Sequence, residues 1–123
     1  MYILGLTGRI GAGKTTASKY IVQRYGFKNL SFVDRLLAPR LRAQNRTVNR
    51  QNLQEIGREL YLKYGDIVLT QWLLEDIDPT QEWLIDDIRY PSTAKYIKER
   101  FTDRFVLMAV CTEQDVRYER VVA

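Results

Sequence analysis

Near the start of the chain, Gly8-Arg9-Ile10-Gly11-Ala12-Gly13-Lys14-Thr15 follows the spacing Gly-x-x-x-x-Gly-Lys-Thr. That spacing suits a polyphosphate, which needs many hydrogen-bond donors and no nearby carbonyl oxygens. Gly8, Gly11 and Gly13 lack Cβ atoms, so their backbone can enter conformations closed to other residues. Successive N–H groups, including those of Arg9, Ile10 and Ala12, can then turn inward as an anion nest. A helix starting near Gly13 adds the partial positive charge of its N-terminus. Lys14 is spaced to reach β- and γ-phosphates, and the Thr15 hydroxyl to ligate Mg²⁺. Thr16 suits either the α-phosphate or an ordinary helical position.

Four further places carry chemistry-bearing residues. Asp34 follows the apolar pair Phe32-Val33. A carboxylate there can orient an acceptor hydroxyl or take its proton, or it caps a helix. Asp86 follows Trp83-Leu84-Ile85, where an acid can hold Mg²⁺, often through water. Its neighbour Asp87 is expected to point elsewhere. Arg89 can grip an acceptor phosphate with two parallel hydrogen bonds, or form a surface ion pair. Arg117 and Arg120 stand three residues apart on an expected helix. They can stack on a base or clamp a phosphoryl group in transit, or lie on a solvated face.

These residues need a frame that gathers them, and the pattern of the chain supplies one. Strands are expected at 2–6, 28–33, 82–85 and 104–111. Helices are expected at 14–25, 35–44, 50–64, 67–76 and 92–101, with a last one capped by Thr112. Ala17, Tyr20, Ile21 and Tyr25 form the predicted inner face of the first helix, and Gly26 stops it. Leu53, Ile56, Leu60 and Tyr64 give the third helix a clean amphipathic stripe, capped by Thr47 or Asn49 and ended by Gly65. The strands are continuously apolar and alternate with helices. That combination indicates α/β architecture: a parallel sheet of about four strands covered on both faces, in three α/β/α layers. Ligands bind such sheets at the carboxyl ends of the strands, which is where all the residues named above fall.

Composition sets bounds. The chain has 123 residues, so a single domain spanning 1–123 is expected. It is 46% hydrophobic and 28% charged, an ordinary soluble balance. No apolar stretch approaches a membrane span and no signal-peptide layout opens the chain, so a cytoplasmic location without membrane association is expected. There is no histidine, which excludes His-based metal sites and general bases. The single Cys111 cannot form an internal disulfide and reads as a buried thiol. The net charge of +4, with Arg40, Arg42, Arg46 and Arg50 bunched, is compatible with nucleic acid. A solvated face with an acceptor-phosphate site fits it better, because basic and aromatic residues are not interleaved.

Three blocks together resemble the P-loop nucleotide and nucleoside kinases of the adenylate kinase and dephospho-CoA kinase group. They are Leu4-Gly5-Leu6-Thr7-Gly8 through Thr16, Ser31-Phe32-Val33-Asp34, and Leu84-Ile85-Asp86-Asp87-Ile88-Arg89. Arg117-Tyr118-Glu119-Arg120 is similar to the paired arginines at the family's lid entrance. The resemblance implies a P-loop NTPase fold that takes ATP with Mg²⁺ and a small phosphorylated or nucleoside-like acceptor. It implies Asp34 as the acceptor-side acid, Arg89 as an acceptor-phosphate ligand, and Arg117 and Arg120 as nucleotide or lid contacts. Two departures stand out. Asp87 occupies a place where the family often has glycine. The chain also ends where the family usually continues into a lid and a fifth strand, so a fragment is expected. The alternative from another class is an ATP-binding switch or interaction module without turnover.

Overall fold

The computed structural model describes residues 1–8 and 13–110. Arg9, Ile10, Gly11, Ala12, Cys111, the helix expected after Thr112, and Arg117 and Arg120 lie outside the described residues. The architecture is α/β, with one parallel four-stranded sheet. Along the chain come β1 (Ile3–Thr7), α1 (Lys14–Tyr25), β2 (Lys28–Asn29), a π-helical turn (Val33–Leu37), α2 (Ala38–Ala43), α3 (Arg50–Leu74), β3 (Trp83–Ile85), α4 (Pro91–Phe101) and β4 (Phe105–Ala109). The strands lie in the order β2-β3-β1-β4. β1 therefore has a parallel neighbour on each side.

Alternation along β1 divides the core. Ile3 joins Ile85, Phe105, Leu73, Leu74 and Ile97 on the face covered by α3 and α4. Leu6 joins Leu84 and Ile21 on the opposite face, under α1. A third cluster, Leu36, Leu41, Ile56, Leu60 and Leu69, ties the π-helical turn and α2 to α3.

α1 has its expected bounds, and Gly26 closes it in the left-handed region (φ 71°) with its N–H on the Val22 carbonyl at 3.1 Å. Its inner face differs from expectation. Ser18 and Ile21 are buried, whereas Tyr20 and Tyr25 are exposed and meet edge to face. A tyrosine can pack its ring on the surface and leave its hydroxyl in water, so apolar spacing alone mislabels it.

The second strand is also shorter than expected, since the chain turns helical by Val33. The helix expected over 35–44 opens as a wide turn in which the Ala38 N–H reaches back five residues to Val33. Pro39 explains the widening, because a proline ring cannot sit against the carbonyl four residues before it. The helices expected at 50–64 and 67–76 follow each other almost directly, broken at Gly65 (φ 80°, ψ 164°). Asn49 rather than Thr47 caps α3, accepting the Asn52 N–H at 2.8 Å.

Candidate functional site

β1 ends at Thr7, followed by Gly8 at the carboxyl edge of the sheet, and the described chain resumes at Gly13, at the start of α1. Gly13 is left-handed (φ 90°, ψ 19°) and forms the N-cap of α1, with its carbonyl accepting the Ala17 N–H at 3.0 Å. An L side chain is strained in that conformation, which accounts for glycine here. Lys14 is the first residue of α1, while Thr15 and Thr16 lie exposed in its first turn. The N–H groups of this turn have no helical carbonyl to donate to.

β3 delivers the carboxylates. Beyond Ile85 the chain bends across β1, and the Ile88 N–H donates to the Leu6 carbonyl at 2.9 Å. Gly5 permits this crossing. A Cβ there would collide with Ile88 Cδ1 and stand 3.1 Å from Phe105 Cε1. The bend carries Asp87 to the start of α1.

Asp87 is the centre of the cluster. Its Oδ1 accepts from Lys14 Nζ at 2.9 Å and its Oδ2 from Arg89 Nε at 2.8 Å. Burial favours its neutral form, but the hydrogen bonds and charges of Lys14 and Arg89 outweigh burial and hold the carboxyl below the usual carboxylate range. The expectation that Asp87 points elsewhere is therefore corrected. Asp86 faces β2 instead, where its Oδ2 accepts from Asn29 Nδ2 at 3.3 Å.

Of the residues singled out in the sequence, the fold joins Lys14 and Arg89 directly, through Asp87. Gly8, Gly13, Thr15 and Asp86 lie on the same carboxyl edge of the sheet, at the ends of β1 and β3 and the start of α1. Asp34 is not drawn into the cluster. It is exposed in the π-helical turn, and its N–H donates to Ser31 Oγ at 3.3 Å. Its carboxylate has no hydrogen-bond partner among the described residues. A side-chain cap by Asp34 is also not found, because Ser31 fills that place.

Sequence reasoning missed Asp87 and the role of Gly5. The available signal was a glycine in the middle of an apolar strand, which marks a close approach of another segment. It also missed an aromatic bridge beside the site. The Tyr90 ring stacks on Tyr61 of α3 with centroids 4.7 Å apart and planes 10° from parallel. Asp66, just after the break in α3, accepts from Ser92 Oγ and from Thr93 Oγ1 at 2.9 Å, and so fastens the start of α4.

The expected basic bunch is partly consumed in structure. Arg40 lies 5.0 Å from the Trp72 ring centroid, and Arg46 pairs with Glu55 at 3.0 Å. Arg40 also lies between two open clefts of about 370 and 310 Å³ on the α2–α3 side. Neither cleft is lined by the Lys14–Asp87–Arg89 cluster. Among the described residues, no helix is long and apolar enough to cross a membrane.

Comparison with known proteins adds no assignment: no protein-family model matches the chain, and no curated protein matches it.

Proposed function

We propose that this chain is a P-loop NTPase-fold kinase that uses ATP to phosphorylate a small nucleotide-like or phosphorylated acceptor in the cytoplasm. One observation carries the reading. The lysine of a Gly-x-x-x-x-Gly-Lys-Thr turn opens a helix and is joined, through one carboxylate, to an arginine at the end of the neighbouring strand. Lysine and arginine in that relation suit two phosphate groups side by side.

The residues fit magnesium. Mg²⁺ on a triphosphate needs few protein oxygens, because phosphates and water complete its shell. The Thr15 hydroxyl and the Asp86 carboxylate are hard oxygen donors at the right edge of the sheet. Accordingly, a cage of three or more acidic, histidine or cysteine side chains is not required, and none occurs among the described residues. When bound, the ion would neutralise charge on the phosphates.

In this reading the turn amides and Lys14 hold the β- and γ-phosphates, and Arg89 fixes the acceptor. The bond between the γ-phosphorus and the β,γ-bridging oxygen breaks as the acceptor oxygen bonds to that phosphorus. The acceptor proton leaves to a base, and Asp34 is the candidate because it follows β2 on the same edge. Catalysis here is mainly positioning and charge stabilisation.

An ADP-release screen across nucleosides, nucleoside monophosphates and dephospho-coenzyme A tests the proposal. Acceptor-dependent ADP formation that disappears in Lys14→Ala at unchanged melting temperature supports it. Transfer that survives Lys14→Ala contradicts it.

Asp34, exposed and without a carboxylate partner among the described residues, favours a second reading, an ATP-binding module without turnover. The double variant Asp34→Asn/Arg89→Ala separates the two. A kinase loses acceptor-dependent ADP release, whereas a binding module has no such dependence to lose.

A further inference from the structure

Asp87 occupies the position of a competitor. Both of its oxygens sit on cations that the reading above assigns to phosphates, at 2.9 Å from Lys14 and 2.8 Å from Arg89. The Lys14 and Asp87 side chains are only 20% and 35% exposed, whereas Arg89 is 73% exposed. The lysine side of the bridge is therefore the better shielded from water and salt. An anion that reaches Lys14 must share the ammonium with a carboxylate already bonded to it, or replace that carboxylate. Either way it binds close to the negative charge of Asp87.

We propose that Asp87 is a specificity-determining residue: it acts as a built-in competitor that closes the Lys14 site to free phosphates and free polyphosphates. This inference rests on the phosphate-binding reading of the glycine-rich turn and adds a rule about which ligands that turn accepts. Inorganic phosphate and uncomplexed polyphosphates bring no partner for the carboxylate, so they bind either against its negative charge or at the cost of its ion pair with Lys14. A ligand that carries its own divalent cation does not leave Asp87 facing bare negative charge.

The shared carboxylate adds a second consequence with a definite sign. One negative charge is divided between Lys14 and Arg89. Removing Arg89 concentrates that charge on Lys14, so Arg89→Ala should weaken metal-free polyphosphate binding even where Arg89 does not touch the ligand. In an Asp87→Asn background the same substitution should have no effect. A direct contact between Arg89 and the polyphosphate would give the same loss in both backgrounds, so the cycle separates the two cases.

The experiment is calorimetric titration of tripolyphosphate and ATP in EDTA, and of ATP with magnesium, into the full chain. The proteins are the wild type, Asp87→Asn, Arg89→Ala and the double variant, with thermal melts to verify folding. Asp87→Asn should bind metal-free tripolyphosphate about tenfold more tightly, the scale of one charge-assisted hydrogen bond. Its ratio of magnesium to metal-free ATP affinity should fall by a similar factor. Arg89→Ala should lose about threefold in the Asp87 background and nothing in the Asp87→Asn background. Equal or weaker metal-free binding by folded Asp87→Asn overturns the competitor role while leaving the phosphate site standing. An equal loss from Arg89→Ala in both backgrounds overturns it too. If neither wild type nor variant binds ATP even with magnesium, the phosphate-binding reading fails and takes this inference with it.

Discussion

Two carboxylates, Asp66 and Asp87, each accept hydrogen bonds from two side chains, and both are held below the usual carboxylate range. Their donors differ. Asp66 takes the hydroxyls of Ser92 and Thr93, neutral groups that fasten α3 to the start of α4. Asp87 takes the ammonium of Lys14 and the guanidinium of Arg89. A hydroxyl offers one oriented bond and has little to gain from an incoming anion. A cation does gain, and it exchanges partners when a stronger anion arrives. The first cluster is therefore a fastening, and the second is the one whose bonds the proposed phosphate ligand would exchange.

Substitutions sharpen that contrast. The largest effect is expected at Lys14. Lys14→Ala should reduce ATP affinity by about a hundredfold or more, equivalent to roughly 3 kcal/mol, and leave the melting temperature within a degree or two. Asp66→Ala should do the reverse, and if both variants lose binding alike, the distinction fails. Next comes Gly5→Val, which forces Ile88 off β1. Overpacking of this kind costs about 1–3 kcal/mol, and the displaced bend should also loosen the Asp87–Lys14 pair. A melt together with an ATP titration checks both effects.

Asp66→Ala itself should cost about 1 kcal/mol, the scale of its hydrogen bonds to two hydroxyls. For a chain of this size that is a drop of a few degrees in melting temperature. Acid should reveal the same cluster. Burial raises the Asp66 pKa, but the hydrogen bonds of Ser92 and Thr93 and backbone amides lower it further, so the folded value lies below the unfolded one. Its contribution is complete above the unfolded value near pH 4 and disappears as pH falls through the lower folded value. Asp66→Asn should flatten that acid limb in pH-dependent melts. The smallest effect is expected at Asp34. Asp34→Asn should leave stability unchanged, since its carboxylate has no partner among the described residues, and should alter only acceptor-dependent turnover.

Of the candidate cluster, Lys14 and Arg89 were legible, and the signal for Lys14 is local. A glycine spacing, a lysine at a helix start and an apolar strand before them identify the turn without tertiary information. Alternation of strands and helices likewise gave the parallel sheet and most element bounds. Other features depend on contacts distant in sequence. Asp86 and Asp87 are equivalent by position, and only the passage of Ile88 over Gly5 decides which of them meets Lys14. Tyr20 and Tyr25 match a buried stripe by spacing but lie outside, because the inner face of α1 is narrow and is met by Ser18 and Ile21. Pro39 did stand in the sequence as a warning against a regular helix over 35–44. Its ring accounts for the π-helical turn in which Asp34 lies.

The central claim is that the turn between β1 and α1 holds the phosphates of a nucleotide through Lys14. Isothermal titration of magnesium-ATP into wild-type protein and into folded Lys14→Ala tests it most directly. The account predicts saturable, one-to-one binding by the wild type that weakens by about a hundredfold or more in the variant. Absence of binding by the wild type, or equal binding by both, would contradict it.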